Sequence, residues 1–507
     1  MVTRKDQLNA YAFARRRTVA AFLQPALTAT EAPPPSALGA LLPSVLAGVL
    51  LLAAFGAWGI FRPGAPPGWA TVGGNVLVGS RSTTRYVVLE TDGVRELRPV
   101  LNLASARLLL DPARFRVLKV DERVLDGPTL PHGPAIGIPY APDRLPEPPV
   151  AAEPKVWAVC AQPTTAGSGR AARQEVFVLS PRQAGQALTA AGTLSGSAAL
   201  YVEGPDGRRY LVDAAGTAFP LGGATDAERS LLARLLFGQG VRPRPVGAQW
   251  LAVLGRGTPL DIPTVPGAGL TSTAPGLDAR SNQVGTVVEA ASGTATHKYV
   301  VLTDRIAPVS DLTAHLLLNG PQAVGRYPEG RVAAIPVAAA SVAPDNAAFD
   351  ADRGWPASVP TVVNGVAAGL DGTTGQPTVC AVLHQGRTDG PGRPVLGAWA
   401  GAGFPVAALA ATSSVYVSPG TGLLYRELSG PAGGEPEESY ARSGPLYLLT
   451  DTGLRYALAG DGSPGDQART RLGYDRIEPT AVPRPWSDLL PRGPVLDTAT
   501  ARRARQP

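Results

Sequence analysis

The alternation of apolar and polar positions sorts the chain into three regimes. The first is "ALGALLPSVLAGVLLLAAFGAWGIF", Ala37 to Phe61, apolar throughout and free of charge. At 1.5 Å per residue such a helix reaches about 37 Å, enough to cross a hydrocarbon core of about 30 Å with some tilt. Pro43 sits near one end, where it disturbs a helix least. A cleaved signal peptide is the competing reading. Against it, the run is about twice a normal h-region and 36 residues precede it. The second regime is "QLNAYAFARRRTVAAFLQP", where Leu8, Tyr11, Ala12, Val19, Phe22 and Leu23 share one helical face broken by Arg15, and Pro25 ends the pattern. It predicts a basic amphipathic helix that lies at a membrane surface or docks a partner helix. The third regime fills the rest of the chain: short apolar runs of strand length, separated by turns.

Within that third regime one pattern recurs. Tyr447 opens "YLLTDTGLRYAL", a strand, a turn and a second strand, which predicts a hairpin. Gly493 of "LPRGPVLD" follows 46 residues later. Tyr86 opens "YVVLETDGVREL", and Gly133 of "LPHGPAIG" follows after 47. Tyr210 opens "YLVDAAGTAFPL", and Gly257 of "GRGTPL" follows after 47. Trp250 and Trp486 lie 40 and 39 residues beyond their own tyrosines. Between hairpin and glycine each copy carries a short helix. In "TDAERSLLARLLFG" the pair Thr225 and Glu228 forms a capping box and Gly238 closes the helix. A fourth, degenerate copy starts at Tyr299, but it lacks the Gly-Pro loop. Three spacings that agree within one residue, each with a matching hairpin, predict similar units of about 50–60 residues.

Charge and composition add orientation. Residues 1–36 hold Lys5 and four arginines against Asp6 and Glu31, whereas Arg62 is the only charge between the apolar run and Arg81. By the positive-inside tendency the N-terminus is cytoplasmic and the bulk lies outside. The net charge of +6 comes from scattered arginines, and the densest run is Arg15, Arg16 and Arg17. Anionic lipid rather than nucleic acid is therefore the expected partner of the basic segment. The 59 glycines and 51 prolines predict turn-rich, β-leaning material. The two cysteines, Cys160 in "WAVCAQP" and Cys380 in "PTVCAVLHQ", both occupy strand-like runs. An oxidising compartment allows a disulfide between them, with two buried free thiols as the alternative. A disulfide would bring both segments into one central body.

The search for chemistry returns little. A phosphate-binding loop needs a lysine after a glycine run, and none of Lys5, Lys119, Lys155 and Lys298 stands there. No Gly-x-Ser-x-Gly elbow occurs. His132, His297, His315 and His384 lack metal-ligand spacing. "TDTG" at Thr450–Gly453 resembles an aspartic-protease signature, but its repeat counterparts "ETDG" and "DAAG" mark it as hairpin-turn chemistry. No catalytic residue, cofactor or metal is expected.

The motifs together resemble the EccB membrane components of actinobacterial type VII (ESX) secretion systems. Gln7, Tyr11, Phe13, Arg16 and Arg17 match the family's N-terminal pattern, and "RPVLNLASARLLL", "GIPYAPDRLP", "WAVC", "VYVSPGTGLLYR", "YLLTDTGLRYAL" and "LPRGPVLD" fall in family order. The chain departs from the family at Gln24-Pro25, at Ser418 and Thr421, and in the eroded copy after Tyr299. The resemblance implies a single-pass subunit of a hexameric inner-membrane complex with EccC, EccD, EccE and a mycosin protease, self-associating as a dimer. It also implies cell-wall-binding-like repeat folds around a disulfide-held central domain. An ATPase activity is attributed to some members.

The expected fold is α+β and β-rich: an N-terminal amphipathic helix, one transmembrane helix, and four repeat units around a central disulfide-pinned β domain. The expected boundaries are 1–36 cytoplasmic helix, 37–61 transmembrane helix, 62–144 first repeat, 145–199 and 355–438 central domain, 200–265 second repeat, 285–350 degenerate third, 439–497 fourth, and 498–507 basic tail. Three functional readings follow: a structural secretion subunit, a membrane-anchored wall-binding module that would expose Trp250 and Trp486, and an ATP-hydrolysing ectoenzyme.

Overall fold

The structure is a computed structural model that describes residues 3–23, 37–61, 65–162, 172–327, 332–364, 377–385, 394–407, 414–428, 444–459 and 464–504. It divides into two compact units. The first holds Met1–Trp69, Gly79–Thr83 and Leu118–Leu130; the second holds the remainder.

In the first unit the two N-terminal regimes form helices α1 (Arg4–Leu23) and α2 (Ala37–Phe61). The predicted amphipathicity of α1 is weak. Arg15 stands in the middle of the apolar face and alanines lie all round, so the two faces differ little. Pro25 lies outside the described residues. The same unit holds a carboxylate clip. Glu122 accepts hydrogen bonds from the Arg81 and Ser82 amides (2.7 and 2.8 Å) and from the Ser80 hydroxyl (2.9 Å). The Ser82 amide, ahead of the other donors, holds the Glu122 carboxyl down at about 2.

The second unit is built from sheets, and four of them contain a three-stranded antiparallel meander. The first runs Asn75–Gly79, Arg85–Thr91 and Val94–Pro99, with Val76 opposite Val87 and Tyr86 opposite Pro99. Its hairpin turns through Asp92 and Gly93, both at positive φ (52° and 79°), the geometry that Asp-Gly supplies at little cost. The second runs Ala198–Glu203, Arg209–Val212 and Thr217–Pro220. The third runs Val287–Ser292, Ala295–Val301 and Ile306–Val309. The fourth runs Gly422–Leu428, Leu446–Thr450 and Arg455–Ala457. In the second, third and fourth a short strand joins the first strand in parallel: Arg244–Pro245, Ile335–Pro336 and Thr480–Pro483. Gly422–Leu428, assigned from sequence to the central segment 355–438, thus runs beside Leu446–Thr450.

Each meander is followed by a helix: Leu103–Leu109, Asp226–Phe237, Asp311–Asn319 and Pro464–Leu472. Asn102, Thr225 and Ser310 cap the first three through their side chains, and Thr225 with Glu228 closes the expected capping box. These helices pack the meanders in pairs. First and fourth share one core, in which Arg107 Nη1 donates to the Leu472 carbonyl (2.9 Å) and Arg471 Nη1 donates back to the Leu110 carbonyl (3.1 Å). The helix of the third enters the core of the second through Leu312 and Leu316, with His315 Nε2 and the Leu235 carbonyl 3.0 Å apart, whereas the third meander's own strands close a separate core around Val287, Val300 and Ala307.

The fifth sheet has the strand order Val395–Gly401, Thr378–His384, Val156–Gln162, Arg173–Leu179, Val415–Val417. One of its faces, with Trp157 and Val159, packs on Leu200 and Val202 of the second meander and on Leu423 and Tyr425 of the fourth. The intervening residues of those strands, Tyr201 and Leu424, enter the paired-meander cores instead. A strand buried on both faces reads as a continuous apolar run, as "AALYV" and "GLLY" do.

Candidate functional site

Among the described residues one helix is long and apolar enough to cross a membrane. Its Leu41–Trp58 window has mean hydropathy 2.1 and buries none of its residues in the protein. Leu42, Leu52 and Phe55 all point outward, an arrangement that water penalises and hydrocarbon accepts. In α1, Arg15, Arg16 and Arg17 are exposed.

The cysteines are joined. Cys160 and Cys380 sit directly opposite each other on the paired strands Val156–Gln162 and Thr378–His384, with Cα atoms 4.0 Å apart and both residues fully buried. The bond ties positions 220 residues apart. In the chain-entropy account a loop of that size stabilises by roughly 5 kcal/mol at most. Around the disulfide, Phe177, Ala184, Val382 and Trp399 complete the core on the face turned away from the meanders.

The tyrosine landmarks occupy one structural position. Tyr86, Tyr210 and Tyr299 each face a proline on the neighbouring hairpin strand (Pro99, Pro220 and Pro308), and Tyr447 faces Ala457. That proline is a sequence signal the Tyr-to-Gly spacing overlooks. The glycine landmarks also share a position. The amides of Gly133, Gly257 and Gly493 donate to the carbonyls of Leu97 (3.0 Å), Ala218 (2.9 Å) and Arg455 (2.8 Å). The third meander makes the same bond, Asp345 N to Ile306 O at 2.8 Å, 46 residues after Tyr299. Its loop is therefore present, with Asp345 where the other three carry glycine.

Trp250 and Trp486 are fully buried on short helices in the core between the central sheet and the second and fourth meanders. Trp486 Nε1 donates to the Val253 carbonyl at 3.0 Å. Neither ring is available to a ligand.

The densest buried polar cluster escaped sequence reasoning. Arg455, 1% exposed, donates to Glu427 (2.9 Å), Asp488 (2.7 Å) and Ser487, while Tyr425 and Ser487 share a hydrogen bond of 3.0 Å. Burial pushes the Tyr425 phenol above its ordinary value. Each acid is paired with the guanidinium, no base adjoins Ser487, and the serine is fully buried. The cluster neutralises a charge held inside the fold. Its only trace in sequence is an arginine inside the apolar run "GLRYAL". The four histidines lie apart: His132 meets the edge of Tyr86 at 6.0 Å, His315 bonds Leu235, and no group of three His, Cys, Asp or Glu residues among those described could hold a metal.

One backbone outlier remains. Tyr140 of "GIPYAPDRLP" has φ 61°, uncommon for a bulky side chain, yet its ring is 89% exposed. Its neighbours impose that conformation. Asn102 Nδ2 donates to the Ile138 carbonyl (2.7 Å), Ser105 Oγ accepts from the Ile138 amide (2.9 Å), and Ala104 N donates to the Pro142 carbonyl (3.2 Å). Such strain costs on the order of 1–3 kcal/mol.

One outward-facing apolar helix of membrane-spanning length and a sheet-rich body pinned by a disulfide define the class, a membrane-associated structural protein. The family described as "Type VII secretion system ESX-1, transport TM domain B" matches residues 1–507, and the chain belongs to this EccB family. It is 29% identical over 483 residues to the "ESX-3 secretion system ATPase EccB3" of Mycolicibacterium smegmatis, covering 87% of this chain and 79% of the relative. Among solved structures it resembles the periplasmic assembly from the ESX-5 inner membrane complex, with TM-score 0.58 and 25% identity over 87% of this chain and 98% of the other. It shares its fold with the EccB3 dimer from the ESX-3 core complex, with TM-score 0.61 and 24% identity over 84% and 99% of the two chains.

Proposed function

We propose that this chain is a structural, membrane-anchored subunit of a type VII secretion complex and builds the extracytoplasmic assembly of that complex. The observation that carries the reading is the family match over residues 1–507 of a chain in which, among the described residues, one helix of membrane-spanning length faces outward. In this reading α1, with Arg15–Arg17, lies on the cytoplasmic leaflet, α2 spans the bilayer and the remainder stands outside. The recurring meander, helix and amide bridge support four repeat units around a central domain. The partners are the EccC motor, EccD, EccE and a mycosin, with self-association supported by the dimeric state of the ESX-3 relative.

The relatives are named ATPases, but this chain acts without hydrolysing nucleotide. Lys155 is buried, with its Nζ on the Val150 carbonyl (3.0 Å) and Glu153 (2.7 Å), and Lys298 is paired with Asp311 (2.6 Å). Neither of them, nor Lys5 or Lys119, follows the glycine run a phosphate-binding loop needs. Wall binding through tryptophan is disfavoured by the burial of Trp250 and Trp486. The test is purification of the full-length protein from detergent-solubilised membranes. Recovery with the motor and polytopic subunits is expected; recovery alone would overturn the reading.

A further inference from the structure

The first strand of the second meander, Ala198–Glu203, pairs along one edge with Arg209–Val212. Its other edge is covered in pieces. Along that edge Thr361 N and Val363 N donate to the carbonyls of Ser197 (2.8 Å) and Ala199 (3.0 Å), and Val246 N donates to the Glu203 carbonyl (2.9 Å). Alternate residues of a strand turn their peptide groups to the same edge, so the next rung belongs to Tyr201, which neither short strand reaches. Asn364 fills it with a side chain. Its Oδ1 accepts from the Tyr201 amide (2.8 Å) and its Nδ2 donates to the Tyr201 carbonyl (2.9 Å). Asn364 and Tyr201 are each 1% exposed. The asparagine amide therefore stands in for a peptide group at a rung that water does not serve.

The same residue ends a strap that starts at the third meander. The Ala357 carbonyl accepts from Leu312 N (3.1 Å), at the helix of the third. Trp355 Nε1 donates to the Pro259 carbonyl in the glycine loop of the second (3.0 Å), with the Arg353 guanidinium 4.5 Å above its ring. Because the strands of the third meander close a core of their own, the strap adds a second tie beside the helix residues Leu312 and Leu316.

We propose that Asn364 is the latch of this strap. Its amide closes the rung at Tyr201 and holds residues 353–364 on the second meander, and losing either hydrogen bond opens the strap while both cores stay folded. The physical reason lies in the pairing. A side chain that cannot bond leaves the Tyr201 N–H and carbonyl buried without partners, and lifting the strap is the way to hydrate them. Only the short pairing of Thr361–Val362 with Ala198–Ala199 opposes that step on the edge itself. Opening of this kind is local and stops short of the hairpin strands, which keep their own ladders.

The test is amide exchange on the full-length protein in detergent, for the wild type, Asn364→Leu and Asn364→Asp. Leucine keeps the bulk and removes both bonds. Aspartate keeps size and acceptor but sets a carboxylate oxygen against the Tyr201 carbonyl. In both variants the amides of Thr361 and Val363 are expected to exchange about tenfold faster or more. Arg209–Val212 and Ala295–Val301 should hold their wild-type protection. Acid that protonates the new carboxyl restores a donor, so Asn364→Asp should close again at low pH, measured against the wild type at the same pH. Unchanged protection of the strap in either variant overturns the latch, because the strap then holds without the amide. Loss that spreads to Arg209–Val212 or Ala295–Val301 overturns it as well, by making Asn364 a part of the core. An aspartate variant that stays open in acid assigns the effect to packing and overturns the hydrogen-bonding role.

Discussion

The third and fourth meanders close the same loop in opposite ways. In the fourth, Gly493 lies against the ring of Tyr456, which is 2% exposed, and a Cβ on that glycine would run into the ring. In the third, Asp345 makes the equivalent amide bond, and the residue in the position of Tyr456 is Ala307. The second meander follows the fourth, with Gly257 against Phe219. None of the three loop glycines stands at positive φ. Glycine is therefore required by the neighbouring side chain and not by the turn. Where that side chain shrinks to alanine, the room returns and an aspartate fits.

The contrast makes the two positions one unit, and substitutions can separate them. The largest effect is expected from Gly493→Asp, which forces a side chain and a carboxylate against a buried ring. It should destabilise the fourth meander by about 3 kcal/mol, seen as lost amide-exchange protection across Leu446–Thr450. Next comes Ala307→Tyr, which recreates the ring beneath Asp345 in an otherwise filled core. About 2 kcal/mol is expected, read from protection of Ala295–Val301. Adding Asp345→Gly to Ala307→Tyr should then recover most of that loss, giving a coupling energy of about 1–2 kcal/mol in a double-mutant cycle. Additive losses in that cycle would show that the loop and the strand residue are independent, and the comparison would fail.

The same pair explains how far the sequence could be read. The hairpins, their helices and the apolar span follow from local signals: Asp-Gly at a turn, Thr225 with Glu228 at a cap, and 25 uncharged residues in a row. The disulfide was legible because two cysteines in strand-like runs have few other uses. The third loop was not, because a search keyed to Gly-Pro assumes the glycine is demanded by the turn, whereas Ala307 had already removed the demand. Tyr140 and Arg455 were hidden for a related reason. Positive φ at Tyr140 is imposed by Asn102 and Ser105, more than 30 residues away in sequence. The charge of Arg455 is balanced by Glu427 and Asp488, 28 and 33 residues away. Spacing along a chain reports repeated backbone; it does not report which side chains meet across it.

The smallest expected effect isolates what Asp345 adds beyond fitting. Its carboxylate pairs with Arg305 at 3.0 Å, and both side chains remain partly exposed (36% and 53%). A pair of that kind contributes at most about 1 kcal/mol, and glycine also gives the unfolded chain more freedom to lose. Asp345→Gly alone should therefore cost about 1 kcal/mol or less in a urea titration followed by amide exchange. Screening separates the two contributions, because exposed charges lose most of their attraction in high salt while chain entropy does not respond to it. If the ion pair matters, the gap between wild type and Asp345→Gly should narrow when sodium chloride is raised from low to molar concentration. A gap that is unchanged by salt would assign the whole difference to the glycine backbone and leave the aspartate as a passive occupant of space that Ala307 vacated.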